Sequence, residues 1–159
     1  MPDKDVVLAK VATIQRCLAR IRDVTSLDPA RLDDIDAQDI FILNLQRAIQ
    51  AALDLAAHVV ASERLGLPER SRESFALLMR AGVVDAETVT KMEKMTGFRN
   101  IAVHDYQALD PEILKSVLVH RLKDLEDFYA AVLRFFGYGG TEDEGRVRAP
   151  AFSSGAELP

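Results

Sequence analysis

The sequence contains a single cysteine, Cys17. This excludes an internal disulfide and a zinc site built on thiolates, and it suits a reducing compartment. No stretch is apolar for long enough to suggest a membrane span. The best candidate, residues 51–61, contains Asp54 and His58 and falls well short of the roughly 18 apolar residues needed. No phosphate loop or dinucleotide fingerprint occurs. Gly137-Tyr138-Gly139-Gly140 lacks the strand and helix that flank such motifs. A nucleophile elbow is missing too. The three histidines, His58, His104 and His120, lie far apart and form no helical ligand pair. Positive charge is in deficit, with 20 Lys+Arg against 25 Asp+Glu and a net charge of −5. Any contact with a polynucleotide therefore needs a local basic site. The opening Met1-Pro2-Asp3-Lys4-Asp5 is charged and does not read as a signal peptide. These exclusions leave a cytoplasmic globular domain. If it is an enzyme, it is expected to work without a bound metal or organic cofactor.

The sequence is 48% hydrophobic over 159 residues, enough for one real core. The apolar periodicity is helical almost throughout. Val7, Val11, Ile14, Leu18 and Ile21 step by four and three along one face. That helix should end near Val24, before the Asp28-Pro29 turn. A second helix is expected over residues 34–64, with Ile35, Ile42, Leu45, Ile49, Ala52, Ala56 and Val60 on its stripe. Ile40, Phe41, Leu53, Leu55 and Val59 lie off that stripe. A helix apolar over so much of its circumference is central to a bundle or shared with a partner subunit. Ser71 can cap a short third helix that ends at Gly82, and Asp85 can cap a fourth. Asp110-Pro111-Glu112 is a strong start signal for a last helix that stops at Gly137. The expectation is an all-α, up-and-down bundle of about five helices over residues 1–137. A mobile, glycine-rich tail is expected over residues 138–159.

Reactive groups concentrate in Gly97-Phe98-Arg99-Asn100-Ile101-Ala102-Val103-His104-Asp105-Tyr106. Arg99 offers a permanent cation with a planar donor fork suited to phosphate. His104 can give or take a proton near neutral pH. Asn100 adds amide donors and Tyr106 a phenol. Cleavage of RNA by its own 2′-hydroxyl needs one group to move protons and another to stabilise charge on phosphorus. Five residues advance a helix by about 500°, so Arg99 and His104 would lie roughly 140° apart on one helix. Either the helix ends or bends before His104, or the site is completed across a subunit interface. Asn100 and His104, four apart, share a face.

Arg99, four intervening residues, His104, one residue and Tyr106 together resemble the HEPN ribonuclease pattern. More closely, they resemble its HepT toxin branch. Gln46-Arg47-Ala48-Ile49-Gln50, the Pro68 turn and residues 75–84 are similar in type and order. The resemblance covers roughly residues 5–136. It implies a helical homodimer with RNA-cleaving clefts at the dimer interface, and a metal-independent endoribonuclease. Arg99 and His104 would be the catalytic pair and Asn100 a polar helper. It implies a partner as well, an MntA-type nucleotidyltransferase antitoxin that adenylylates the motif tyrosine, here Tyr106. Both tRNA and mRNA fit as substrate. A phosphate on Tyr106 would place negative charge beside Arg99 and His104 and compete with the substrate phosphate.

Each residue also has a plainer role. His104 could cap a helix, Arg99 could pair with Glu93 or Asp105, and Tyr106 could be a core-edge aromatic. His58 reads as packed or interfacial, and His120 as solvated. Asp54 could orient a catalytic group or face water. Arg70, Arg72, Arg80, Lys91 and Lys94 could rim an RNA groove. Against that, residues 62–105 hold seven cations and seven acids, which equally fits a mixed surface. The competing functional class is a non-catalytic helical subunit serving a nucleotidyltransferase. A scaffolding dimer is a third.

Overall fold

Asp3 opens the first helix by accepting the backbone N–H groups of Asp5 and Val6. In this computed structural model, which describes residues 1–139, α1 spans Lys4–Thr25 and closes on Ser26 in a left-handed conformation. Asp28 then caps one turn of 3₁₀ helix at Pro29–Asp33. Asp34 caps α2 (Ile35–Ser62) through the N–H groups of Asp36 and Ala37. The connection is short, so α1 and α2 pack as an antiparallel hairpin along most of their length.

α2 is the centre of the fold. Phe41, Leu45, Ala48, Ile49, Ala52, Leu55, Ala56 and Val59 are fully buried. By length and composition it is the one described helix that passes as a membrane span, and 61% of that window is buried inside the protein. Ile35 departs from the expected stripe and is 62% exposed, because it sits in the first turn, ahead of the packed length of the helix.

α3 (Glu73–Arg80) starts without any side-chain cap. Ser71 therefore does not cap it as the sequence suggested. Its backbone carbonyl accepts from Ser74 N–H in a preceding turn instead. Gly82 takes φ +78° just past the helix, which only glycine adopts without steric penalty. Asp85 caps α4 (Ala86–His104) by accepting from Thr88 N–H. The Asp110-Pro111 signal starts α5 as expected, at Pro111–His120.

The last helix is not continuous. It breaks at Arg121, where φ is −117°, and resumes as α6 (Leu122–Phe136). The reason is packing. α5 lies on the 3₁₀ turn at 29–33, whereas α6 lies on α4, α2 and α1. Lys115 ties α5 to that turn through Asp33 at 2.9 Å. Phe128 of α6 meets Phe75 of α3 edge to face at 5.3 Å. Burying such a side chain contributes about 1.5–3 kcal/mol. Beyond Gly137, Tyr138 stacks on Phe136 and donates its hydroxyl to Pro2 O at 2.6 Å. The rest of the expected tail, residues 140–159, lies outside the described residues. The described residues thus form an all-α bundle of six helices with no strand.

Candidate functional site

α4 carries the reactive segment and runs unbroken through His104. The continuity decides the local geometry. Arg99 and His104 stand about 140° apart around one continuous helix. Arg99 is turned toward α2 and half-buried, whereas Asn100 and His104 are exposed on the outward face. The helix ends at Asp105, whose φ of −149° and ψ of 63° leave the helical region. Tyr106 therefore sits on the following 3₁₀ turn (Tyr106–Ala108) and not on the face of Arg99.

Two residues of α2 receive the segment. Arg99 Nη2 donates to Gln50 Oε1 at 2.6 Å, and Nη1 donates to Asn100 Oδ1 at 3.2 Å. Its Nε is buried without an acceptor. Tyr106 donates its hydroxyl to Asp39. That hydrogen bond, with burial and the Asp39 charge adding to it, pushes the phenol pKa up to about 12. Asp39 and Gln50 are eleven residues apart on α2, about 16 Å along the helix axis. The pairings run in opposite directions along the two elements, so the end of α4 and its turn lie antiparallel to α2. A groove of about 320 Å³ opens there, lined by Asp39, Ile42, Leu43, Gln46 and Tyr106. A larger cavity of about 660 Å³, lined in part by Asp85, Lys91, Asp124 and Arg134, contains none of Arg99, Asn100, His104 and Tyr106.

The imidazole of His104 makes no hydrogen bond among the described residues and stays open to solvent. Several large apolar side chains of α2, α4 and the following turn are also exposed. Leu43, Ile101, Val103 and Tyr106 are each more than 40% exposed. His58 does not take part, because its Nε2 accepts the backbone N–H of Asp3 at 3.2 Å. His120 ends α5, exposed. Lys91 is committed to Glu87 at 3.0 Å and Asp124 at 3.8 Å.

The structure thus brings Arg99 and Asn100 together, seats Tyr106 on the same face of α2, and leaves His104 on another face. Sequence reasoning missed Asp39 and left Asp54 open. One signal was present: Asp39, Gln46, Gln50 and Asp54 recur at seven, four and four residues, on one face of the largely apolar second helix.

The family described as Ribonuclease HepT-like matches residues 14–132. The chain belongs to the ribonuclease HepT-like family. As a member it is an RNA-cleaving enzyme. An mRNA nuclease HepT from Shewanella oneidensis is 42% identical over 124 residues, covering 78% of this HepT-like chain and 93% of that protein. A putative RNase from Archaeoglobus fulgidus is 29% identical over 101 residues, 64% of this chain and 70% of that one. Among solved structures, a toxin–antitoxin complex with AMP-PNP aligns at TM-score 0.78 and 40% identity, covering 82% of this chain and 98% of its own. A tri-AMPylated Shewanella oneidensis HEPN toxin in complex with an MNT antitoxin aligns at TM-score 0.77, with the same identity and coverage. The cytosolic protein YutE from Bacillus subtilis aligns at TM-score 0.74 but 14% identity, which shows the fold alone.

Proposed function

We propose that this chain is a cytoplasmic HepT-like toxin, a metal-independent endoribonuclease that uses Arg99 and His104 and is silenced by adenylylation of Tyr106. The observation that carries the reading is the contrast along α4. Arg99 is a cation held by a neutral acceptor, and His104 is exposed on the same helix. His104 takes the proton of a ribose 2′-hydroxyl as its oxygen attacks phosphorus. The bond from phosphorus to the 5′-oxygen breaks, and that oxygen receives a proton. Arg99 stabilises the charge that accumulates on the phosphate oxygens. Asn100 receives Arg99 on its amide oxygen, which leaves its amide nitrogen to donate to substrate. DNA lacks the nucleophile and is not cut.

One protomer holds Arg99 and His104 on divergent faces, which favours a homodimer that completes each site from both copies. Exposed Leu43 and Tyr106, which line one groove, and exposed Ile101 and Val103 near the end of α4 support that reading, since exposed apolar side chains that group together mark association surfaces. The AMPylated toxin and its MNT antitoxin among the solved relatives support an MntA-type nucleotidyltransferase as the partner here. An adenylyl group on Tyr106 would put a phosphate beside Asp39, and not directly beside Arg99 as the resemblance suggested, and would occupy the groove that Tyr106 lines.

The test is cleavage of tRNA and mRNA in excess EDTA. The parent should cut RNA and spare DNA. Arg99→Ala and His104→Ala should each lose at least about a hundredfold in rate while keeping the parent's helical circular dichroism. Cleavage by His104→Ala at the parent's rate would sink the mechanism. Intact RNA with the unmodified parent protein, freed of any nucleotidyltransferase, would favour a non-catalytic subunit that serves such a partner.

A further inference from the structure

Arg99 does not meet α2 at a simple contact but at the end of a polar relay across three helices. Lys10 of α1 approaches Asp54 Oδ2 at 3.4 Å. Gln50 Nε2 donates to the other oxygen, Asp54 Oδ1, at 2.9 Å. Gln50 Oε1 then accepts from Arg99 Nη2 at 2.6 Å. Every link has one possible polarity. A carboxylate without its proton only accepts, and a guanidinium only donates. The amide between them must therefore turn its nitrogen to Asp54 and its oxygen to Arg99.

We propose that Gln50 and Asp54 are positioning residues for Arg99, with the Gln50 amide aiming the guanidinium without neutralising it. This rests on the reading of Arg99 as the phosphate-binding cation. The choice of amide matters chemically. A carboxylate at position 50 would pair with Arg99 directly, and the RNA phosphate would have to displace it. A neutral oxygen fixes the direction of the guanidinium yet leaves its charge for substrate. Asp54 supplies the rigidity from one helical turn further along α2, where its own charge is met by Lys10. The buried Arg99 Nε finds no acceptor, so without Gln50 only the adjacent Asn100 would hold the group.

The experiment measures kcat and KM on a fluorophore–quencher single-stranded RNA, using the unmodified full chain and its variants, with thermal unfolding of each. Gln50→Glu is made in an Asp54→Asn background, so that the new carboxylate meets an amide donor and not the Asp54 charge. It should match or exceed the Tm of Asp54→Asn alone, because it gains an ion pair with Arg99, yet lose about tenfold or more in kcat. A purely structural Gln50 would not separate stability from rate in that way. Gln50→Ala should lose about tenfold to a hundredfold in kcat with KM within about twofold, the pattern of a misaimed group and not of a lost charge. Asp54→Ala should follow Gln50→Ala. Asp54→Asn, whose amide oxygen still accepts from Gln50, should stay within about threefold of the parent. Parent-like kcat in both Gln50 variants, beside an inactive Arg99→Ala protein, overturns the positioning role and leaves the nuclease reading intact. Parent-like cleavage by Arg99→Ala overturns the nuclease reading itself.

Discussion

Tyr106 is 44% exposed, yet its hydroxyl is engaged by Asp39. An exposed phenol would lose its proton near pH 10. Here the hydrogen bond to a carboxylate holds the proton, raising the pKa to about 12. The neutral, donating form is thus the one the fold selects. Because the folded value lies above the unfolded one, the stabilisation is complete below about pH 10 and is lost between about pH 10 and 12. In a Tyr129→Phe, Tyr138→Phe background, ultraviolet titration should find the Tyr106 midpoint near 12. Adding Asp39→Asn should return it toward 10. An unchanged midpoint in the Asp39 variant would show that burial, and not the carboxylate, sets the value. The same bond has a consequence for modification. An adenylyl ester on the phenol removes the donor and sets a phosphate against the Asp39 carboxylate, so the 3₁₀ turn can no longer rest on α2 as it does.

Helices α4 and α6 meet around Asp124, which is only 6% exposed. Burial raises its carboxyl pKa, and Lys91 at 3.8 Å offsets this in part. A carboxyl whose folded value is raised destabilises the fold in its ionised form, and stability recovers as pH falls from the folded value to the unfolded one. Asp124→Asn keeps the shape and removes the charge. It should raise Tm at pH 7 by about 2–4 °C, equivalent to about 1 kcal/mol, and change it little near pH 3. A lower Tm at pH 7 would mean that the ion pair outweighs the burial. Elements were legible in the sequence where their signals are local. Asp85, Asp110-Pro111, Gly82 and Gly137 mark ends through backbone chemistry that needs no tertiary partner. The break at Arg121 was not legible, since no glycine or proline marks it and its cause is the divergence of two packing surfaces. In the candidate site, Arg99, Asn100, His104 and Tyr106 are the residues that the resemblance to the HEPN pattern singles out. Asp39 and Gln50 meet Tyr106 and Arg99 only once α2 lies beside the end of α4, and a pairing between residues 67 positions apart, such as Asp39 with Tyr106, leaves no trace in local periodicity.

For the proposed homodimer with Arg99 and His104 as its catalytic pair, the unbroken α4 forces a choice about where catalysis would happen. A single protomer turns Arg99 inward against Gln50 and His104 outward. If each site were complete within one copy, mixing an Arg99→Ala protein with a His104→Ala protein would give dimers whose two sites are both defective. If each site takes Arg99 from one copy and His104 from the other, a two-fold symmetric heterodimer carries one doubly defective site and one intact site. Random exchange puts half the molecules in heterodimers, so the mixture should recover about a quarter of the parent's cleavage rate. Refolding the two inactive variants together and separately, at equal total concentration, measures this directly. Recovered activity in the mixture alone would place the reaction between protomers. A mixture as inactive as its components would put Arg99 and His104 of one copy at each site and require the outward imidazole to swing back within its own chain. The exposed Leu43, Ile101 and Val103 add a physical requirement for the first outcome. A charged substitution such as Ile101→Asp should leave the helical content of the protomer in place, shift its sedimentation toward that of one copy, and abolish cleavage with Arg99 and His104 both present.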